Sequence, residues 1–89
     1  SSNSVTELFL SMGDLYHAKA DNGQAAEFYK KAIASYESTI PVNPYKLSQC
    51  LAKYAKLLRA IDQNEEADKC EVRADSLAST KFNFTDDPE

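Results

Sequence analysis

An internal repeat of 42 residues constrains the fold of this chain more than any other feature of its sequence. Shifting the sequence by that distance places Gly13 on Ala55 and Ala32 on Ala74. Lys31 coincides with Arg73, and the other coinciding positions are apolar in both copies: Phe9 and Leu51, Leu10 and Ala52, Met12 and Tyr54, Leu15 and Leu57, Tyr16 and Leu58, Ala18 and Ala60, Ala25 and Ala67. A fixed period in this range predicts a stacked array of helical hairpins, in which each hairpin buries its apolar face against the next.

The first copy contains residues 13–32, GDLYHAKADNGQAAEFYKKA, which indicate two helices separated by the polar break DNG at 21–23. Ser4 and Glu7 have the spacing of a capping box, so the first helix is expected to begin there and to run to about Ala20. Its expected buried stripe, at steps of one, three and four residues, consists of Val5, Leu8, Phe9, Met12, Leu15 and Tyr16.

Three further helices follow from the same spacing of apolar residues. The second is expected over about 24–39, the third over about 44–62 with Asn43 as its N-cap and Pro44 in its first turn, and the fourth over about 64–80. The expected buried positions are Ala25, Phe28, Tyr29, Ala32, Ile33, Tyr36 and Ile40 on the second, Leu47, Leu51, Tyr54, Leu57, Leu58 and Ile61 on the third, and Ala67, Cys70, Ala74 and Leu77 on the fourth.

Composition supports an all-α fold, because only two glycines and three prolines interrupt stretches rich in alanine, leucine and lysine. A chain of 89 residues is long enough for one modest core. The expected organisation is one helical domain over 1–80, with repeats at about 4–40 and 43–79, followed by a tail or linker at 81–89. The tail has a polar ending, and two readings are open: disorder, or Phe82 and Phe84 folding back over apolar surface.

Seven positions of the first copy share a further pattern: Phe9, Met12, Gly13, Tyr16, Ala25, Tyr29 and Ala32. They resemble the motif of the tetratricopeptide repeat family, and the 42-residue period is similar to the kinesin-light-chain variety rather than to the form of about 34 residues. The resemblance implies two antiparallel helix-turn-helix repeats in a right-handed superhelical array. The sequence departs from the family where Glu37 replaces the closing proline and where Glu71 replaces the aromatic residue that Tyr29 supplies in the first copy.

In this family the first helix of each repeat lines a concave groove that holds peptides. The resemblance therefore implies a non-catalytic protein-interaction module or scaffold, which binds a peptide or a partner helix through charge pairs and a few apolar contacts. The implied groove residues are Leu10, Asp14, His17, Gln49, Ala52, Lys56 and Arg59. Two alternatives stay open: a structural segment that caps or extends a larger solenoid or self-associates as a homodimer, and a set of merely solvated helix faces.

The family's groove for acidic chaperone tails is not matched by these residues. Leu10 and Asp14 occupy positions where that groove needs lysine and asparagine, so a cochaperone role is not expected. Lys53, Lys56 and Arg59 still offer positive charge to an acidic partner, although a stripe of this kind is usually solvated.

Charge and hydropathy argue against several other classes of function. The formal net charge is −4, whereas a general nucleic-acid-binding protein usually carries a basic surface, so nucleic-acid binding is not expected. No apolar run approaches the roughly 20 residues that span a bilayer, and no signal peptide is recognisable. The chain begins without methionine, which favours a piece of a longer protein. Two cysteines do not make the disulfide framework of a small secreted domain, so an intracellular and cytoplasmic location is expected.

Chemistry-bearing residues are few. Asp14, His17 and Asp21 share one helical face at a spacing that could hold a divalent cation, but salt-bridged or solvated side chains are the more common explanation. Cys50 and Cys70 are expected to be free buried thiols rather than a disulfide or a catalytic pair with the single histidine. The sequence therefore predicts no enzyme, metal or cofactor.

Overall fold

The computed structural model describes the backbone of residues 2–86 and the side chains of residues 4–79. Over those residues the chain is all-α, with four helices and no strand, as the sequence predicted. The helices are α1 (Ser2–Ala18), α2 (Asn22–Ser38), α3 (Pro44–Ala60) and α4 (Asn64–Asp86). Each helix packs on the next, α1 on α2, α2 on α3 and α3 on α4.

Side-chain caps begin the two central helices. Asn43 accepts a hydrogen bond from the backbone N–H of Lys46 at 3.1 Å and caps α3 as predicted. Asp21 caps α2 in the same way, because its Oδ1 accepts from the backbone N–H of Gln24 at 3.3 Å. Each cap satisfies one of the amides that an isolated helix start leaves without a partner.

The capping box predicted for α1 is wrong. The helix begins at Ser2, two residues earlier than expected, so Ser4 lies within the helix. The carboxylate of Glu7 instead reaches Lys46 on α3. A side chain predicted to have a local role thus joins the two repeats.

The fourth helix is longer than predicted. It was expected to end near Thr80, but it continues to Asp86, since neither glycine nor proline occurs between Asn64 and Pro88. Residues 81–86 are therefore helical. The side chains of Phe82 and Phe84, proposed to fold back on the domain, lie outside the described side chains.

The buried core follows α2 and α3. The buried positions of α2 are Ala25, Tyr29, Ala32 and Tyr36, and all four were predicted. On α3 and α4 the buried apolar residues are Leu47, Cys50, Leu51, Ala55, Leu57, Leu58, Ala67, Cys70 and Ala74. Alanines alternate with larger side chains in this core, which allows neighbouring helices to approach closely.

The predicted stripe of α1 is only partly buried. Val5, Leu8 and Leu15 are 48%, 58% and 49% exposed, so the prediction that they face the core is wrong. The helix instead turns Thr6 inward, where it is 1% exposed and its hydroxyl hydrogen-bonds that of Ser35. Phe9 and Tyr16 of the predicted stripe face α2, where their rings lie beside that of Phe28, but no helix of the described chain covers the side that carries Val5, Leu8 and Leu15.

Gly13 allows α1 and α2 to pack closely. A Cβ added at this position would lie 2.6 Å from Cδ1 and Cε1 of Tyr29, whose side chain is almost fully buried. The equivalent position in the second copy is Ala55, and the residue equivalent to Tyr29 is Glu71. In the first repeat, glycine thus lies opposite the large side chain of Tyr29. In the second repeat, alanine takes the place of glycine, and the carboxylate of Glu71 binds Arg59 instead of packing between the helices.

The first helix of each repeat ends with the same backbone turn. Ala20 and Asp62, which are 42 residues apart, have φ of 63° and 62°. The N–H of the next residue reaches back to the helix, from Asp21 to the carbonyl of Tyr16 at 2.9 Å and from Gln63 to that of Leu58 at 2.8 Å. This is the Schellman ending, whose left-handed residue is most often glycine.

We expect Ala20→Gly to stabilise the domain by about 1 kcal/mol, because glycine adopts this positive φ without the steric cost that a Cβ imposes. Thermal unfolding followed by circular dichroism should show a melting temperature raised by about 4–8 °C. The matched control is Ala34→Gly on the exposed side of α2, which should lower stability by about 1 kcal/mol. A loss of stability in both variants would contradict the left-handed ending.

Candidate peptide-binding groove

A groove runs between α1 and α3, with α2 at its base. It encloses a cavity of about 450 Å³, within the range of ligand pockets. The cavity is lined by Glu7 and Leu10 of α1, Tyr36 of α2, and Lys46, Gln49, Ala52 and Lys53 of α3. Apolar surface from two helices is thus bordered by charged groups.

The two walls of this groove carry opposite charge. Glu7 and Asp14 lie on the α1 wall, and Lys46 and Lys53 lie on the α3 wall. Ion pairs cross the groove from Lys46 Nζ to Glu7 Oε2 at 3.4 Å and from Lys53 Nζ to Asp14 Oδ2 at 2.9 Å. All four side chains are about half exposed, and exposed pairs of this kind contribute only about 0–1 kcal/mol.

Asp14 also anchors the buried ring of the first repeat. Its Oδ1 accepts a hydrogen bond from the Tyr29 hydroxyl at 2.7 Å, while its Oδ2 accepts from Lys53. Burial and the hydrogen bond to Asp14 raise the pKa of Tyr29 well above its usual value. This carboxylate therefore links α1 to both α2 and α3, and it satisfies a polar group that would otherwise be buried without a partner.

Tyr36 forms part of the groove base, and the nearby charge of Glu7 affects its pKa. Its pKa is raised first by burial and then by the negative charge of Glu7. The groove base thus combines this aromatic residue with the apolar surface of Leu10 and Ala52.

The structure distributes the predicted groove residues over three environments. Leu10, Gln49 and Ala52 line the cavity, and Asp14 borders it through Lys53. Lys56 is exposed on the same side of α3, one turn beyond Ala52 and Lys53, and has no ion-pair partner among the side chains of residues 4–79.

Two predicted residues lie away from the cavity. His17 is half-buried and meets the ring of Tyr29 edge-on, with centroids 6.5 Å apart. Arg59 binds Glu71 and Asp68 of α4, each at 2.7 Å, and its hydrogen bond lowers the pKa of Glu71. Arg59 therefore stabilises the contact between α3 and α4 and does not line the groove.

Three lining residues were missed by sequence reasoning, namely Glu7, Tyr36 and Lys46, and Lys53 was named only as a positive charge for an acidic partner. The three charged residues among these four carry a detectable signal. Lys46, Gln49, Lys53 and Lys56 recur at steps of three, four and three residues, as do Glu7, Leu10, Asp14 and His17, and each set therefore shares one helix face. Tyr36 has no such signal, because its role depends on how α2 passes beneath the other two helices.

The cation site and the cysteine chemistry considered from the sequence have no supporting geometry in the described part of the chain. Asp14 binds Tyr29 and Lys53, and Asp21 caps α2, so these carboxylates have separate roles. No group of three His, Cys, Asp or Glu side chains able to share a metal ion occurs among the described residues. Cys50 and Cys70 are both free and buried.

Burial also defines the state of the two thiols. Burial raises the pKa of Cys50 to about 12 and raises that of Cys70 above its usual value. Both groups are thus neutral thiols at pH 7, whereas a nucleophilic cysteine needs a lowered pKa.

None of the described helices combines the length and the apolar character needed to cross a bilayer. Comparison with protein-family models, with curated protein sequences and with solved structures gave no significant match. The tetratricopeptide resemblance therefore stays a prediction, beside an observed all-α fold of consecutively packed helices.

Proposed function

We propose that this chain is a non-catalytic protein-interaction module, which holds a peptide or partner helix in the groove between α1 and α3. The observation that carries the proposal is the apolar base at Leu10 and Ala52 between walls of opposite charge. A cavity of about 450 Å³ accommodates a few side chains rather than a folded partner.

The charges on the two walls indicate the chemistry of the ligand. Lys46, Lys53 and Lys56 follow one face of α3, so carboxylates of the ligand would point toward α3. Glu7 and Asp14 would receive its basic groups. A small apolar side chain between these charges would contact Leu10 and Ala52, and this arrangement favours a peptide in which acidic and basic residues flank an apolar one.

The existing ion pairs do not oppose such binding strongly. Because the pairs from Lys46 to Glu7 and from Lys53 to Asp14 are half exposed, each contributes little, and the charges of a ligand can replace them. Lys56 is available without any exchange. The ion pairs that cross the groove therefore oppose the binding of a charged peptide only weakly.

A selection of random dodecapeptides displayed on phage, followed by titration of the selected synthetic peptides, tests the proposal. The double variant Lys46→Glu/Lys53→Glu should weaken their binding at least about tenfold, because the α3 wall would then repel the carboxylates that it attracts in the wild type. Ala52→Phe should weaken binding similarly by filling the cavity.

The matched control is Lys69→Glu, which reverses an exposed lysine of α4 far from the groove lining. It should leave peptide affinity unchanged. If Lys46→Glu/Lys53→Glu and Ala52→Phe both bind as well as the wild type, the groove is not the binding site. Sedimentation separates the alternative of a structural or self-associating segment, since a dimer that buries the groove would exclude the peptides in a concentration-dependent way.

A further inference from the structure

The outer face of α1, defined by Val5, Leu8, Met12 and Leu15, is an apolar surface that no described helix covers. Three of its residues are about half exposed and Met12 is partly buried. Their steps of three, four and three residues place them in one row along the helix. Single exposed leucines are ordinary, whereas these four apolar residues lie side by side in one row.

The repeat identifies what such a row does elsewhere in the same molecule. Adding 42 to each position gives four residues of α3: Leu47, Cys50, Tyr54 and Leu57. All four pack in the core that α3 shares with α2. Leu57 clusters with Ala25 and Tyr29 of α2, and Tyr54 packs against that cluster.

The remaining two positions have the same partner helix. Leu47 and Cys50 belong to the cluster that contains Ala32 and Tyr36 of α2, and the Sγ of Cys50 lies 4.0 Å from the carbonyl oxygen of Tyr29. The row on α3 is thus the seam on which the second helix of the preceding repeat docks. The outer face of α1 presents the same seam without an occupant.

The surface beside the outer face permits the same close approach. Ser4, Ser11 and Ala18 follow the row on its solvent side, and all three are small, uncharged and exposed. The charged groups Glu7 and Asp14 lie on the opposite, groove side of α1. A docking helix would therefore meet apolar atoms and small residues along most of the row, and Lys19, four residues after Leu15, places one positive charge at the C-terminal end of the row.

We propose that the outer face of α1 docks an amphipathic helix of the α2 type, the second helix of a preceding repeat. The contact face of this helix would alternate alanine with tyrosine, as Ala25, Tyr29, Ala32 and Tyr36 do on α2. This interface is separate from the groove, and it does not depend on the groove binding a peptide.

The fourth helix of a second copy does not suit this surface. On α2 the half-buried Ala26 and Ile33 pack against the two core clusters. Their equivalents on α4 are Asp68 and Asp75, both exposed. Stacking α4 of one copy on α1 of another would bury two carboxylates against Leu8 and its neighbours, which is unfavourable.

A fusion that adds a second copy of residues 21–43 directly before Ser2 tests the proposal with the full chain. Ser2 is equivalent to Pro44, so the added helix enters α1 with the spacing at which α2 enters α3. The fusion should melt at least about 4 °C above the unfused chain. The added segment should also resist trypsin at its two consecutive lysines.

Leu8→Glu/Leu15→Glu should abolish both gains in the fusion, yet change the melting temperature of the unfused chain little because both leucines are exposed. Val72→Glu, at a valine of α4 that is 69% exposed, is the matched control and should leave both gains intact. A fusion that melts like the unfused chain and is cut freely would overturn the proposal. So would a dimer of the unfused chain that Leu8→Glu/Leu15→Glu dissociates, since a second copy would then be the occupant.

Discussion

Replacing Gly13 with valine is expected to destabilise the domain by more than the roughly 1–3 kcal/mol that is usual for an overpacked core. A Cβ alone would lie 2.6 Å from two ring carbons of Tyr29. The ring has little freedom to move away, because it is 1% exposed and its hydroxyl is bound to Asp14. Valine adds two methyl groups to this clash, so α1 and α2 must separate or the ring must leave the core.

Urea unfolding followed by circular dichroism measures the effect, with Gly13→Ala as the smaller step. Alanine gains about 1 kcal/mol of helix propensity, but the clash should outweigh this gain and leave a net loss. Gly23→Ala is the matched control, because nothing lies within 4 Å of the added Cβ and the gain in propensity should appear alone. The two alanine substitutions are thus expected to have opposite signs.

The cost of Gly13→Ala should also depend on its neighbour. In a Tyr29→Leu background, which shortens the opposing side chain, the additional cost of Gly13→Ala should fall markedly. An unchanged cost would show that the close approach of the two helices is not its cause.

The fold was predictable from sequence where neighbours surround a helix. The four buried residues of α2, which are two alanines and two tyrosines, were all predicted. They lie in one row along the helix, and both α1 and α3 pack against α2. The prediction of buried residues on α1 was wrong for the opposite reason, since no described helix packs on its outer side. Hydropathy shows which side of α1 is apolar, but Leu8 and Leu15 are exposed because the described chain has no helix on that side.

The candidate site was predictable only in part. The family resemblance implied Leu10 and Ala52 as groove residues, and both line the cavity. The resemblance also implied Arg59, which instead binds Glu71, because helix position alone does not reveal that a carboxylate of the following helix lies within hydrogen-bond distance. The crossing angle of two helices decides which of their charged side chains face each other. That angle cannot be read from a single sequence.

Leu57→Ala is expected to cost about 2–5 kcal/mol, whereas Leu15→Ala at the equivalent position of the first repeat should cost under about 1 kcal/mol. Leu57 is fully buried against Ala25 and Tyr29, and its loss leaves a cavity. Leu15 is 49% exposed and leaves none. Urea unfolding of the two variants measures the difference with residue type and repeat position held constant.

The same pair tests whether burial, rather than repeat position, sets the cost. In the fusion carrying a second copy of residues 21–43, Leu15 would be covered as Leu57 is, so the cost of Leu15→Ala should rise toward that of Leu57→Ala. Equal costs in the unfused chain would mean that the outer face of α1 is already covered there, and a dependence of stability on protein concentration would then identify a second copy as the cover. Because Leu15 is half exposed in the described chain, we expect unequal costs without the added helix and nearly equal costs with it.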